Sequence, residues 1–121
     1  MFFNVSNHPS LNWSEEQLHE ARKFGEIKDI PFPDVPSKSS EEEIAGMAEE
    51  HVKNLRKELK PTDVIMVQGE FTLTFALVTK LKAAGYTVVS ACSDRDVVER
   101  VDDAGETIKE ARFRFVQFRC Y

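Results

Sequence analysis

The chain opens on Phe2-Phe3-Asn4-Val5-Ser6 and stops at Asn7-His8-Pro9-Ser10. A short apolar run ending in turn-forming residues predicts a buried strand that runs into a polar loop. Ser14-Glu15-Glu16-Gln17 has capping-box spacing, Ser14 able to accept from an orphan amide and Gln17 to reach back. A helix is predicted over residues 14–24, with Leu18, Ala21 and Arg22 on one face and Gly25 as its C-terminal cap. Residues 26–30 read as a second strand, broken by Pro31, Pro33 and Pro36, which lack amide donors.

Ser39 and Ser40 ahead of three glutamates announce a second helix, because carboxylates in a first turn complement the helix dipole. Ile44, Met47, Ala48, His51, Val52 and Leu55 keep an i, i+3, i+4 rhythm, and Leu59 ends it before Pro61, giving a helix of about 20 residues. Val64-Ile65-Met66-Val67 is apolar without a break, as expected of a parallel strand covered on both faces. A third helix follows Gln68-Gly69-Glu70, with Phe71, Phe75, Val78 and Leu81 predicted on its inner side and Gly85 closing it.

Residues 86–91 read as a fourth strand that ends in the polar turn Cys92-Ser93-Asp94-Arg95. Residues 97–101 and 108–119, around the Gly-containing turn 102–106, read as a closing hairpin, and Arg112-Phe113-Arg114-Phe115 alternates with period two. The predicted order is β-α-β-α-β-α-β-β-β. That order defines a single small α/β domain over residues 1–121, a Rossmann-like three-layer fold whose sheet is mostly parallel with a C-terminal antiparallel hairpin.

Length and charge narrow what such a domain does. At 121 residues one core buries roughly two-thirds of the unfolded chain's surface and leaves no room for a second. The 16 Lys and Arg against 21 Asp and Glu leave a formal charge of −5. Sequence-independent binding to a long nucleic acid is therefore not expected, because that affinity comes from many basic side chains displacing counterions. A small anion in one pocket remains compatible. No run reaches the roughly 18 apolar residues of a membrane helix, and the first residues lack a basic region and a cleavable apolar stretch, so the expected compartment is the cytoplasm, with no membrane partner. Cys92 and Cys120 are too few and too far apart for a disulfide framework and are read as reduced core thiols.

In a sheet of this kind ligands bind beyond the carboxyl ends of the parallel strands. Three polar loops fall there: residues 6–10, 68–72 and 91–95, with the Pro-rich stretch 31–37 as a candidate wall. Gly69 lets backbone amides approach a ligand, the following helix start favours an anion, and Thr72 adds a hydroxyl. Read structurally, the same residues are a tight strand-to-helix turn with Glu70 compensating the dipole. Glu70 also counts against phosphate directly on that helix end, and the Gly-x-x-x-x-Gly-Lys pattern of a nucleoside triphosphatase is absent.

His8, a residue type suited to general acid/base work and placed in the loop after the first strand, is a candidate proton carrier, with a turn histidine before Pro9 as the structural alternative. Arg95 beside Ser93 is the candidate fixed cation for phosphate, against a salt bridge to Asp94, Asp96 or Glu99. No His, Asp or Glu pair has metal-ligand spacing, and no metal or cofactor is expected. Arg112, Arg114 and Arg119 among Phe113, Phe115 and Phe118 are read as edge protection over packed rings, rather than as a nucleic-acid platform.

Taken together, Asn4-Val5-Ser6-Asn7-His8-Pro9, Gly69-Glu70-Phe71-Thr72, Ala91-Cys92-Ser93-Asp94-Arg95 and the closing Phe118-Arg119 resemble small stand-alone CRISPR-associated proteins, and are similar to the CRISPR-associated Rossmann-fold sensor domains. The resemblance implies a homodimer that binds a cyclic oligoadenylate, the second messenger of type III CRISPR immunity, and a ring-nuclease activity in which the ribose 2′-hydroxyl attacks the adjacent phosphorus without a metal. By that resemblance Ser6, Asn7, His8 and Ser10 touch one phosphate-ribose unit, with His8 carrying a proton. Gly69 and Thr72 cradle backbone phosphate, and Ser93 and Arg95 hold the charge that develops on phosphoryl oxygens. Two other readings stand beside this one: a non-catalytic sensing or sequestering module on the same fold, and a small α/β interaction protein whose polar loops are only turns.

Overall fold

β1 (Phe2–Ser6) is buried at all five positions, because it lies between two parallel neighbours and under helices on both faces. It pairs with β2 (Ile27–Pro31) on one side and β3 (Val64–Val67) on the other. β3 pairs in parallel with β4 (Thr87–Val101), and β4 pairs antiparallel with β5 (Thr107–Cys120), giving the order β2-β1-β3-β4-β5. The computed structural model describes residues 1–121. Three helices complete the fold: α1 (Glu15–Arg22), α2 (Glu41–Arg56) and α3 (Phe71–Ala83).

Alternation along the strands divides the core in two. Phe3, Val5, Ile65, Val67 and Val88 face α2 and α3, where Ala48, Leu55, Leu73 and Leu77 meet them. Phe2, Val64, Met66 and Val89 face the other way, onto Ala21 of α1, Trp13 and Phe118. The fold is thus the expected three-layer α/β arrangement with a mostly parallel sheet. No helix is long and apolar enough to cross a membrane.

Local chemistry explains most element ends. Ser14 accepts from the Gln17 amide at the start of α1, and Ser40 with Glu43 forms a reciprocal capping box at the start of α2. α2 stops at Arg56, short of the expected length, and a tighter turn over residues 57–59 still returns Leu59 to the core. β2 takes in Pro31 as its last residue rather than stopping before it. The proline is tolerated because β2 is an edge strand, bonded only to β1.

Three expectations are corrected. On α3 the buried residues are Leu73, Leu77, Val78 and Leu81, while Phe71 and Phe75 are 89% and 75% exposed. The helix is apolar almost all round, so periodicity alone does not choose its inner face. Cys92-Ser93-Asp94-Arg95 is not a turn. The chain passes straight through it in β4, so there are five strands rather than six, with a shift of register between Cys92 and Ser93. Its polarity reflects solvent on a strand that has left the sheet, since pairing of β3 with β4 ends at Met66 and Val89. Cys92 is half-buried and Cys120 exposed, so neither is a core thiol.

His51 of α2 has a buried Nε2 with no hydrogen-bond partner, and burial holds its pKa below the ordinary 6.5. The unfolded chain therefore binds a proton that the folded chain resists, and stability falls as pH drops below 6.5 toward the lowered folded value. His51→Met is expected to stabilise by about 1 kcal/mol at pH 7 and to flatten this acid limb. Thermal melts between pH 7.5 and 5 check both.

Candidate functional site

The order β2-β1-β3 reverses the direction of chain winding between β1 and β3, which is where sheets of this class open a crevice at their carboxyl ends. A cleft of about 1260 Å³ lies there. One wall is the loop after β1 and the start of α1, with Asn7, His8 and Trp13. Gln68 and Met66 of the β3 end form part of the floor. The far wall is the β4–β5 hairpin, with Ser93, Arg112, Phe113 and Arg114.

The loop wall is held from beneath by a side chain that is 1% exposed, Asn4. Its Nδ2 donates to the His8 carbonyl and to Asp29 Oδ1, both at 2.9 Å, and its Oδ1 accepts from Ser6 Oγ at 2.6 Å. Ser6 Oγ in turn accepts from the His8 amide, Trp13 Nε1 donates to the His8 carbonyl, and Ser10 donates through amide and hydroxyl to Asp29. The Asn4, Ser6 and Ser10 side chains and the His8 backbone are thereby tied to neighbours, and the loop is fixed with the Asn7 and His8 side chains exposed at the cleft.

Across the floor, Gln68 Oε1 accepts from the Ala91 amide at 2.8 Å, filling the place of a missing ladder bond where β3 has ended. A second link at this end of the sheet is Tyr121, whose hydroxyl donates to the Val67 carbonyl. On the hairpin wall Arg114 pairs with Asp94 at 3.2 Å and Arg112 lies 3.7 Å from Glu110, both pairs exposed. Glu15, Glu16 and Asp96 also border the cleft, so its positive charge is confined to the hairpin side.

The residues singled out from sequence part into groups. Asn7, His8 and Ser93 meet at the cleft. Ser6 and Ser10 lie beneath it, with their hydroxyls already bonded inside the network. Gly69 and Thr72 stand at the start of α3. Glu70 caps that helix, accepting from the amides of Thr72 and Leu73 and from the Thr72 hydroxyl, and those bonds hold its carboxyl below the usual carboxylate range. The chain's own anion thus occupies the helix end read as a phosphate cradle. The need for glycine at 69 has a different cause: a Cβ there would lie 2.5 Å from the buried Phe32 ring. Phe32 and Val35 pack into the α2–α3 side of the core, so the Pro-rich stretch is not a wall of this cleft. Arg95 makes no ion pair and projects from the hairpin beyond the cleft lining.

Sequence similarity decides the family. A family-level match extends over residues 1–119 and carries the description Uncharacterized protein MJ1673 family. The chain belongs to the MJ1673 family. No curated protein and no solved structure matches it. For this MJ1673-family chain, Gln68 falls in the expected loop 68–72, whereas the cleft residues Trp13 and Phe113 escaped the reading of loops. Trp13 precedes α1 outside the polar loops, and Phe113 reaches the cleft through the register of β5 on β4, signalled in sequence only by the alternation of residues 112–115.

Proposed function

We propose that the cleft binds a cyclic oligoadenylate and cleaves it as a ring nuclease. The observation that carries this reading is the composition of the cleft at the β1–β3 reversal: Trp13 and Phe113 offer aromatic surfaces for bases, Arg112 and Arg114 offer guanidinium groups for phosphate, and His8 stands on the opposite lip. The volume exceeds that of a typical pocket for one drug-sized ligand, which is roughly 300–1,000 Å³, and leaves space for more than one nucleotide. The resemblance of the β1 loop to CRISPR-associated Rossmann-fold proteins supplies the ligand class.

In the proposed reaction the ribose 2′-oxygen forms a bond to the adjacent phosphorus as the phosphorus–O5′ bond breaks. The products are a 2′,3′-cyclic phosphate and a 5′-hydroxyl. The 2′-hydroxyl proton leaves and the 5′-oxygen gains one, a transfer within the range of a single imidazole, which assigns His8 as proton carrier. Arg112 and Arg114 hold the phosphoryl oxygens in this scheme, the role that sequence alone suggested for Arg95. Glu70 at the start of α3 favours one alternative, a module that sequesters the ligand without cutting it, since that helix end is closed to phosphate.

Incubation of the protein with radiolabelled cyclic tetra-adenylate in excess chelator tests the reading. Linear products ending in a 2′,3′-cyclic phosphate are expected, with His8→Ala slowing their appearance by on the order of 100-fold at unchanged binding. Tight binding with an intact ring under enzyme excess would leave the sequestering module, and no binding would remove both.

A further inference from the structure

Beyond the register shift at Cys92 and Ser93, β4 and β5 continue as a two-stranded ribbon, paired from Ser93 with Phe115 out to Val101 with Thr107. Asp102 closes its tip, accepting from the amides of Ala104 and Glu106, with Gly105 at a positive φ of 80°. A two-stranded ribbon standing in water is marginal unless one face is covered. Its two faces differ. On one, Arg114 pairs with Asp94, and Arg100 and Arg112 both reach Glu110. The other carries five layers, with Ser93 beside Phe115 and Val101 beside Thr107 at its ends, and its three central layers are, in order, Arg95 beside Phe113, Val97 beside Ala111, and Glu99 beside Lys109. Phe113 is 72% exposed and Val97 57%.

We infer that this second face is covered by the same face of a second copy of the chain, about a twofold axis that crosses the ribbon at Val97 and Ala111. Such an axis stacks β4 on β4 and β5 on β5 in opposite directions. The three layers then meet in reverse order, and the face complements itself. Val97 packs on Val97 and Ala111 on Ala111 at the centre. Arg95 meets Glu99 of the other copy at each end, and Phe113 meets the aliphatic stem and ammonium of Lys109. Arg95 is the one ribbon arginine without an ion pair in its own chain, and this arrangement supplies its carboxylate. Stacking the ribbons in the same direction instead sets Arg95 over Phe113 and leaves Glu99 with Lys109 alone. Charge therefore selects the antiparallel arrangement.

The inference shares Phe113 with the ligand reading above, so its test contains no nucleotide and no substitution at Phe113. Sedimentation of the purified chain at micromolar concentration is expected to give twice the 13.8 kDa chain mass. Val97→Asp, which places two carboxylates at the axis, is expected to give a monomer with unchanged far-ultraviolet circular dichroism. Arg95→Glu is expected to raise the dimer dissociation constant at least about tenfold, and Arg95→Glu with Glu99→Arg to restore it, because the swap regenerates both intermolecular pairs. A monomeric wild type, a dimer that survives Val97→Asp, or a double reversal no tighter than Arg95→Glu alone would overturn it.

Discussion

Phe2→Ala is expected to lower stability by about 3–5 kcal/mol, the cost of removing a fully buried ring where little can collapse into the space. Phe2 is 0% exposed on the α1 side of the sheet. Its ring centroid lies 4.8 Å from Phe118, 6.0 Å from Trp13 and 6.1 Å from Phe24, so one side chain joins β5, the α1 approach and the α1 exit. Only five buried residues make up this half of the core. At roughly 4 °C per kcal/mol for a domain of this size, the midpoint should fall by on the order of 15 °C. Phe75→Ala serves as the control. That ring is 75% exposed, and its removal should change stability by less than about 0.5 kcal/mol. Equal losses for the two would mean that the assignment of α3 faces is wrong.

Asn4→Ala is expected to cost about 2 kcal/mol, because three hydrogen bonds at a buried side chain are lost and Ser6 Oγ loses its 2.6 Å acceptor, while the His8 carbonyl keeps Trp13 and Asp29 keeps Ser10 as donors. The damage should be local as well as global. Asn4 is what joins β1, the loop carrying His8, and Asp29 of β2, so amide exchange in residues 7–13 should rise more than in α2 or α3. Asn4→Asp sharpens the test. It keeps the shape but sets a second carboxylate against Asp29, where the native contact is 2.9 Å. Its destabilisation should match or exceed that of Asn4→Ala at pH 7 and shrink as pH falls toward the carboxylate range, where the pair can share a proton. A melt of Asn4→Asp that does not depend on pH more steeply than the wild type would remove Asn4 from this role.

Much of the fold was legible in the sequence because burial and periodicity coincide there. The unbroken apolar runs of β1 and β3 and the capping serines of α1 and α2 each have a local cause, and all four elements lie close to where those signals put them. Failures occurred where one local signal has two physical meanings. The polar stretch Cys92-Ser93-Asp94-Arg95 means a turn if the chain stays within the sheet and a solvated strand if it leaves, and only the length of β3 decides between them. Phe71 and Phe75 keep helical spacing with Val78, but so do Leu73 and Leu77 with Leu81, and the sheet accepts the second set.

The candidate site was legible in the same uneven way. Asn7 and His8 were found because a loop after the first parallel strand has a known place in such folds. Sequence reads Arg112 and Arg114 as edge protection and Phe113 as a packed ring, yet Phe113 is exposed and all three line the cleft, because their placement depends on a hairpin register that no local signal encodes. Ser6 and Ser10 were read as ligand contacts, although their hydroxyls serve the network that holds the loop. A small hydroxyl at a strand end suits either use. The deciding fact is the position of Asp29, a β2 residue opposite Asn4 in the parallel ladder.

The central claim is that the cleft between the β1 loop and the hairpin takes a cyclic oligoadenylate, and calorimetric titration of cyclic tetra-adenylate into the protein measures it most directly. The account predicts saturable binding that weakens at least about tenfold, roughly 1.4 kcal/mol, in Arg112→Ala and in Phe113→Ala, with the melting temperature of Arg112→Ala unchanged because its side chain is exposed. No heat of binding, or an affinity that neither substitution alters, would contradict it.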